Sequence, residues 1–242
     1  MLEFRGVSKT YNGTTAVAPL DLEIAAGEVA VLLGPSGCGK TTILRMVAGL
    51  VSPTTGEITV DSLRLGPRTV RDVRRKLGYV IQEGGLFPHL TAVGNVTLMA
   101  RHEGWTRGRI DERLAELVDM TQFPQDGLDR YPNELSGGQR QRLSLMRALF
   151  LKPSILLLDE PLGALDPLIR AGLQRDLKEV FARTGATVLL VTHDLVEASR
   201  FADRVFVMQS GRIVQHGPFV DILEKPANEF VREFVNSQVV AP

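Results

Sequence analysis

The sequence predicts an α/β fold. A parallel core sheet is covered by helices on both faces, an antiparallel β-layer lies beside it, and a helical segment is inserted over residues 88–150. Three observations carry this. The short runs Val29–Leu33, Leu77–Ile81, Ile155–Leu158 and Thr187–Val191 are apolar almost throughout rather than at alternate positions, as in parallel strands buried on both faces. Gly34-Pro35-Ser36-Gly37-Cys38-Gly39-Lys40-Thr41 follows the first run, fits G-x-x-x-x-G-K-[ST], and precedes the helix-like stretch Thr42–Val47. Farther on, Ile110, Leu114, Leu117 and Val118 recur at helical spacing, as do Leu143, Met146 and Leu149.

In chain order, strand-like segments at 2–7, 20–24 and 57–60 alternate with turns such as Tyr11-Asn12-Gly13 and Ala26-Gly27-Glu28, which suits the antiparallel layer. Asp166-Pro167 supplies an N-cap and a first-turn proline for a helix over 167–182. Val205–Gln209, Ser210-Gly211 and Arg212–His216 read as a hairpin with a two-residue turn, and two short amphipathic segments follow. The expected organisation is one domain over 1–242. Residues 1–87 and 151–242 form the β-layer and core, 88–150 form the helical lobe, and no C-terminal regulatory domain is expected.

The glycine-rich loop is a phosphate cradle. Its glycines let successive N–H groups converge, and the following helix N-terminus adds positive partial charge. Gly34, Pro35, Ser36, Gly37, Cys38, Gly39, Lys40, Thr41 and Thr42 are the predicted nucleotide-binding residues. Lys40 reaches the β- and γ-phosphates, and Thr41 offers its hydroxyl to Mg²⁺. Cys38, beside a helix N-terminus, reads either as a thiolate-rich, reactive thiol or as an inert small residue that fills space.

About a hundred residues downstream, Leu135-Ser136-Gly137-Gly138-Gln139 opens the helical run Arg140–Leu149. Ser136 reads as an N-cap, and Gly137 and Gly138 leave N–H groups uncovered, making a second anion site. Such distant phosphate sites need either a fold that joins them or two chains. Ile155–Leu158 ends in Asp159-Glu160. A carboxylate pair after a strand also suits a solvated loop; its place after LSGGQ selects Asp159 as metal ligand and Glu160 as general base.

Lys+Arg and Asp+Glu both number 28, so charge balance gives no sign of a nucleic-acid partner. Hydrophobic residues make up 44%, enough for a core, and no apolar stretch approaches the roughly 18–20 residues that span a bilayer. Met1–Arg5 shows no signal-peptide pattern, and the single cysteine excludes an internal disulfide.

The order P-loop, LSGGQ, ILLLDEP resembles the nucleotide-binding subunits of ATP-binding-cassette (ABC) transporters, and the resemblance spans essentially the whole chain. It implies a P-loop NTPase fold, ATP and Mg²⁺, and ATP hydrolysis coupled to transport. It also implies a role for Gln82 as the Q-loop glutamine that senses Mg²⁺ and water, and for His193 as the switch histidine. Asp166, in Ala164-Leu165-Asp166, resembles the D-loop at a dimer seam, and Tyr11 fits the aromatic that stacks on adenine. The implied assembly is a head-to-tail homodimer around two ATP. In it the P-loop of one copy faces Ser136, Gly137, Gly138 and Gln139 of the other.

Arg74–Gln82 followed by Gly85-Leu86-Phe87-Pro88-His89 is similar to the quaternary-amine uptake subfamily, which imports glycine betaine, choline or carnitine. Glu103-Gly104-Trp105, Arg130–Ser136 and Pro226–Val231 are similar to the same group. Polyamine and sugar importers share parts of these stretches, and an ABC transporter for another small solute (polyamine, sugar or amino acid) is the alternative reading. Soluble ABC ATPases of DNA repair or translation carry coiled-coil insertions or a second cassette, and neither occurs here. The expected partners are two transmembrane permease subunits and a substrate-binding protein, with the chain on the cytoplasmic face of the membrane. In the segment Gln82–Leu90, Leu86, Phe87 and Leu90 are apolar in an expected surface segment, and they read either as permease-docking side chains or as packing of the helical lobe against the core.

Overall fold

Two sheets organise the chain in a computed structural model that describes residues 1–82, 84–163 and 166–239. Glu83, Ala164 and Leu165, each within a segment singled out above, lie outside the described residues.

Strands β1 (Leu2–Tyr11) and β2 (Thr14–Ile24) form a hairpin about Asn12-Gly13. Both turn residues have positive φ, 46° and 83°, the twist that matches paired strands. β3 (Val29–Leu33) enters the second sheet and leads through the glycine loop to α1 (Lys40–Val47). The chain returns as β4 (Thr55–Val60) and the two-residue β5 (Leu63–Arg64), completing an antiparallel sheet of order β2-β1-β4-β5. Next come α2 (Val70–Arg75) and β6 (Leu77–Val80).

Helices α3 (Ala92–His102), α4 (Arg107–Thr121) and α5 (Gly137–Leu149) follow. β7 (Ile155–Asp159), α6 (Pro167–Thr184), β8 (Thr187–Thr192), α7 (Leu195–Phe201) and β9 (Arg204–Gln209) rebuild the core. β10 (Arg212–Gly217) turns back on β9 through Ser210-Gly211, at φ 45° and 78°. α8 (Phe219–Glu224) and α9 (Glu229–Val239) close the chain.

The core sheet has the order β10-β9-β3-β8-β7-β6, parallel except for β10. Its faces are separate apolar clusters, divided by the two-residue period of a strand. Val31, Leu33, Leu156, Leu158, Val188 and Leu190 pack on the face that carries the helices from α3 onward. Ala30, Leu32, Ile155, Leu157, Leu189 and Val191 pack with α1 and the antiparallel sheet. Burial on both faces is why these strands read as continuous apolar runs.

The structure differs from the reading of the sequence in places. β6 stops at Val80 and leaves Ile81 exposed, and α1 begins at Lys40 rather than Thr42. Helix α2 was not expected. Only Val73 is buried in it, so the sequence carries no apolar stripe there.

Candidate nucleotide-binding and hydrolysis site

Strands β6, β7, β8 and β3 are consecutive neighbours. Their carboxyl ends therefore bring Gln82, Asp159-Glu160, His193 and the glycine loop to one rim of the sheet, where open α/β sheets bind ligands.

The loop is pressed against the antiparallel sheet. A Cβ at Gly39 (φ 107°) would lie 2.5 Å from the Ala16 carbonyl oxygen, so only glycine fits. A Cβ at Gly37 (φ 80°) would meet nothing within 4 Å; this part of the loop opens outward. Gly211 N–H donates to the Cys38 carbonyl at 3.0 Å, tying the loop to the β9–β10 turn.

Lys40 is only 4% exposed, and its Nζ donates to the carbonyls of Gly34 (2.6 Å) and Pro35 (2.9 Å). No carboxylate among the described residues pairs with it. A buried ammonium supported by two carbonyls and the Cys38 sulfur at 3.9 Å, with no carboxylate beside it, keeps its charge for an anion, which fits a phosphate chain.

Thr41 Oγ1 donates to Asp159 Oδ1 at 2.9 Å. Asp159 is buried, and burial pushes its carboxyl pKa up, with Glu160 adding to the rise and the Thr41 bond opposing it. The Tyr79 hydroxyl lies 3.5 Å from Asp159 Oδ2, and its own pKa is pushed up to about 12 by burial and by Asp159. An incompletely compensated buried carboxylate beside a threonine hydroxyl is a donor set that fits Mg²⁺.

Glu160 takes a left-handed backbone conformation (φ 45°), with its N–H donating to the Val191 carbonyl at 2.9 Å. Its Oε2 lies 3.4 Å from His193 Nδ1 and accepts from Gln82 Nε2 at 3.3 Å. The three predicted catalytic side chains thus meet at one carboxylate oxygen.

Ser136 caps α5 through a reciprocal box. Gln139 N–H donates to Ser136 Oγ (3.3 Å), and Ser136 N–H donates to Gln139 Oε1 (2.8 Å). No hydrogen bond or ion pair among the described residues joins Ser136–Gln139 to the glycine loop. Asp166 is exposed at the start of α6. Tyr11 is 42% exposed at the end of β1, with Lys9 Nζ 4.9 Å above its ring.

The reactive-thiol reading of Cys38 is overturned. Its side chain turns inward to the cluster of Val17, Ile43 and Met208 and is 4% exposed. Burial pushes its pKa up despite the opposing charge of Lys40, whose Nζ lies 3.9 Å from the Cys38 sulfur.

Several residues went unnoticed in the sequence. Ser144 Oγ donates to the Gly84 carbonyl (3.1 Å), and Arg147 donates to the carbonyls of Gly85 (2.7 Å) and Gly84 (2.9 Å), so α5 grips the segment after Gln82. Buried Asn95 accepts from Phe87 N–H and donates to the carbonyls of Phe87 and Leu90, fixing the same segment at its far end. Phe87 remains 41% exposed. A buried asparagine in an otherwise apolar helix was the available signal; Ser144 and Arg147 carried none. Glu197 on α7 is buried beside Thr192, and burial pushes its carboxyl pKa up to about 7.

Residues 17–163 match the family model described as ABC transporter. The chain belongs to the ABC transporter family. It is 44% identical over 239 residues to the glycine betaine/carnitine/choline transport ATP-binding protein OpuCA of Bacillus subtilis (strain 168), covering 98% of this chain and 63% of that protein. It is 42% identical over 234 residues to the glycine betaine uptake system ATP-binding protein YehX of Escherichia coli (strain K12), covering 97% and 76%. The chain thus spans less than two thirds of OpuCA and about three quarters of YehX. Among solved structures, the dimeric post-hydrolysis state of the ATP-binding cassette MJ0796 bound to ADP and Pi superposes with a TM-score of 0.82. That match has 32% identity and covers 90% of this chain and 99% of that one.

Proposed function

We propose that this chain binds and hydrolyses ATP as the nucleotide-binding subunit of an ABC importer, powering uptake of a quaternary amine of the glycine betaine, choline or carnitine class. The observation that carries the ATPase reading is the meeting of Gln82 and His193 on the Glu160 carboxylate, beside the Thr41–Asp159 pair and buried Lys40. The solute class rests on the similarity to OpuCA and YehX.

Lys40 pairs with the β- and γ-phosphate oxygens, which replace the carbonyls it holds here. Thr41, Asp159 and Gln82 hold Mg²⁺, which when bound offsets charge on the phosphates. Glu160 accepts a proton from the attacking water, and His193 and Gln82 fix the direction of its carboxylate. Ser136, Gly137, Gly138 and Gln139, capped for an anion but unconnected to the chain's own loop, serve the loop of a second copy in a head-to-tail dimer. Asp166 and the exposed Tyr11 face the seam and the adenine in the same assembly. Among the described residues no helix is long and apolar enough to cross a membrane. Two permease subunits with a substrate-binding protein therefore supply the pathway, and the chain docks on their cytoplasmic side through the segment around Phe87.

Glu160→Gln keeps the shape and removes the base. It is expected to retain ATP binding, lower hydrolysis by roughly 10²–10⁴, and accumulate a dimer on size-exclusion chromatography with MgATP. Wild-type turnover in this variant would remove Glu160 from the reaction. Uptake assays on the chain co-expressed with its permease, comparing betaine, choline and carnitine with maltose and spermidine, test the solute class.

A further inference from the structure

The turn that carries His193 is held from an unexpected direction. Within the turn, Asp194 N–H donates to Thr192 Oγ1 (3.0 Å), and Asp194 Oδ1 caps α7 by accepting from Val196 N–H (2.7 Å) and Glu197 N–H (3.4 Å). The His193 carbonyl and the Leu195 N–H are instead both met by the side-chain amide of Gln238. Gln238 Oε1 accepts from Leu195 N–H at 3.0 Å, and Gln238 Nε2 donates to the His193 carbonyl at 2.8 Å.

Gln238 stands in the last turn of α9, more than forty residues along the chain. Val231 and Val235 seat this helix in the core, and Asn228 Oδ1 accepts from Val231 N–H at 3.0 Å at its start. Upstream, Gln215 on β10 accepts from Ala227 N–H (2.8 Å) and donates to the carbonyls of Asp221 and Lys225, anchoring the approach to α9.

We infer that Gln238 is a positioning residue for His193, so that the seating of α9 sets the rate of hydrolysis without setting nucleotide affinity. The inference rests on the role proposed above for His193. One planar amide bonds the main chain on both sides of Asp194, and thereby fixes the peptide units that aim the imidazole at Glu160 Oε2, 3.4 Å away. Without it, the turn keeps its α7 cap but loses the clamp, and the imidazole samples orientations that miss Glu160. Gln238 touches neither the glycine loop nor the Thr41–Asp159 pair, so ATP binding is untouched.

The test uses the full chain with Gln238→Ala, and Gln238→Met as a variant that fills similar space without the amide. Both are expected to lower kcat about 3- to 30-fold, the scale of losing hydrogen bonds that orient a reacting group. KM for ATP and Tm stay as in the wild type, and amide exchange rises over residues 192–196. In a His193→Ala background, measured by single turnover, the Gln238 variants cause no further loss. Wild-type kcat in both variants overturns the inference. So does an equal loss with and without His193, or a fall in kcat accompanied by matching losses of ATP affinity and Tm in both. Wild-type kcat in His193→Ala alone would instead overturn the role of His193, a separate failure.

Discussion

Glu197 is a carboxyl group held where its charged form is costly. It is 2% exposed, and burial is the main cause that raises its pKa from 4.5 to about 7. Around it the Thr192 hydroxyl and Arg170 favour the charged form, while Asp194 and Glu160 oppose it. Between these two pKa values the folded chain binds a proton that the unfolded chain releases. Its contribution to stability is therefore fullest below about 4.5, declines as pH rises, and is gone above about 7.

At about 1.4 kcal/mol per pKa unit, the wild type loses roughly 2–3 kcal/mol through this group between pH 5 and pH 8. Glu197→Gln removes the titration. One buried carboxyl oxygen has no hydrogen-bond partner, and the new amide donor there adds a cost that does not vary with pH. The diagnostic is therefore the pH dependence of the difference, not its absolute size. Urea denaturation of both proteins at pH 5 and pH 8 is expected to show the variant gaining roughly 2–3 kcal/mol on the wild type, or about 4–12 °C in Tm for a domain of this size. A stability difference that is flat with pH, or a variant that loses ground to the wild type as pH rises, would refute the reasoning.

Cys38 is expected to react with maleimide at least about tenfold more slowly in the folded chain than in urea, with or without MgATP, because its thiol is buried and its pKa raised; equal rates would contradict its inward placement. Mixing Lys40→Ala and Ser136→Arg copies, each inactive alone, is expected to restore ATPase activity through one intact composite site per mixed dimer. A mixture as dead as its parents would argue against sites shared between copies.

The sequence revealed those features that leave a local mark. Burial on both faces makes β3, β7 and β8 read as apolar runs, and positive φ makes Asn12-Gly13 and Ser210-Gly211 legible as turns. The candidate site was legible because each of its residues stands at a strand end or a helix start. The strand order then brings Gln82, Glu160 and His193 together. Cys38 reads two ways because sequence shows the helix N-terminus that would lower its pKa, but not that its side chain points into the core. Gln238 left no mark at all. It is a polar residue near the end of an amphipathic helix, and its role comes entirely from where that helix lies.

The grip of α5 on the segment after Gln82 explains how distant parts of one chain can report on each other. Ser136 caps the N-terminus of α5, while Ser144 and Arg147 in its body bond the carbonyls of Gly84 and Gly85. Burial lowers the pKa of Arg147, but its donors are met by carbonyls rather than by a carboxylate, so the contact is geometric as much as electrostatic. A helix of this length moves as a rigid unit. Any shift at Ser136 imposed by a nucleotide held across a dimer seam must therefore carry Gly84 and Gly85 with it or break those bonds. Gln82 stands two residues from Gly84 and touches Glu160. Beyond Gly85 the same segment leads to exposed Phe87, pinned by Asn95. The segment is thus held from both sides, by α5 near the Glu160 carboxylate and by α3 near the surface proposed to meet the permease. Motion at either end is transmitted through a few named hydrogen bonds rather than through the apolar core.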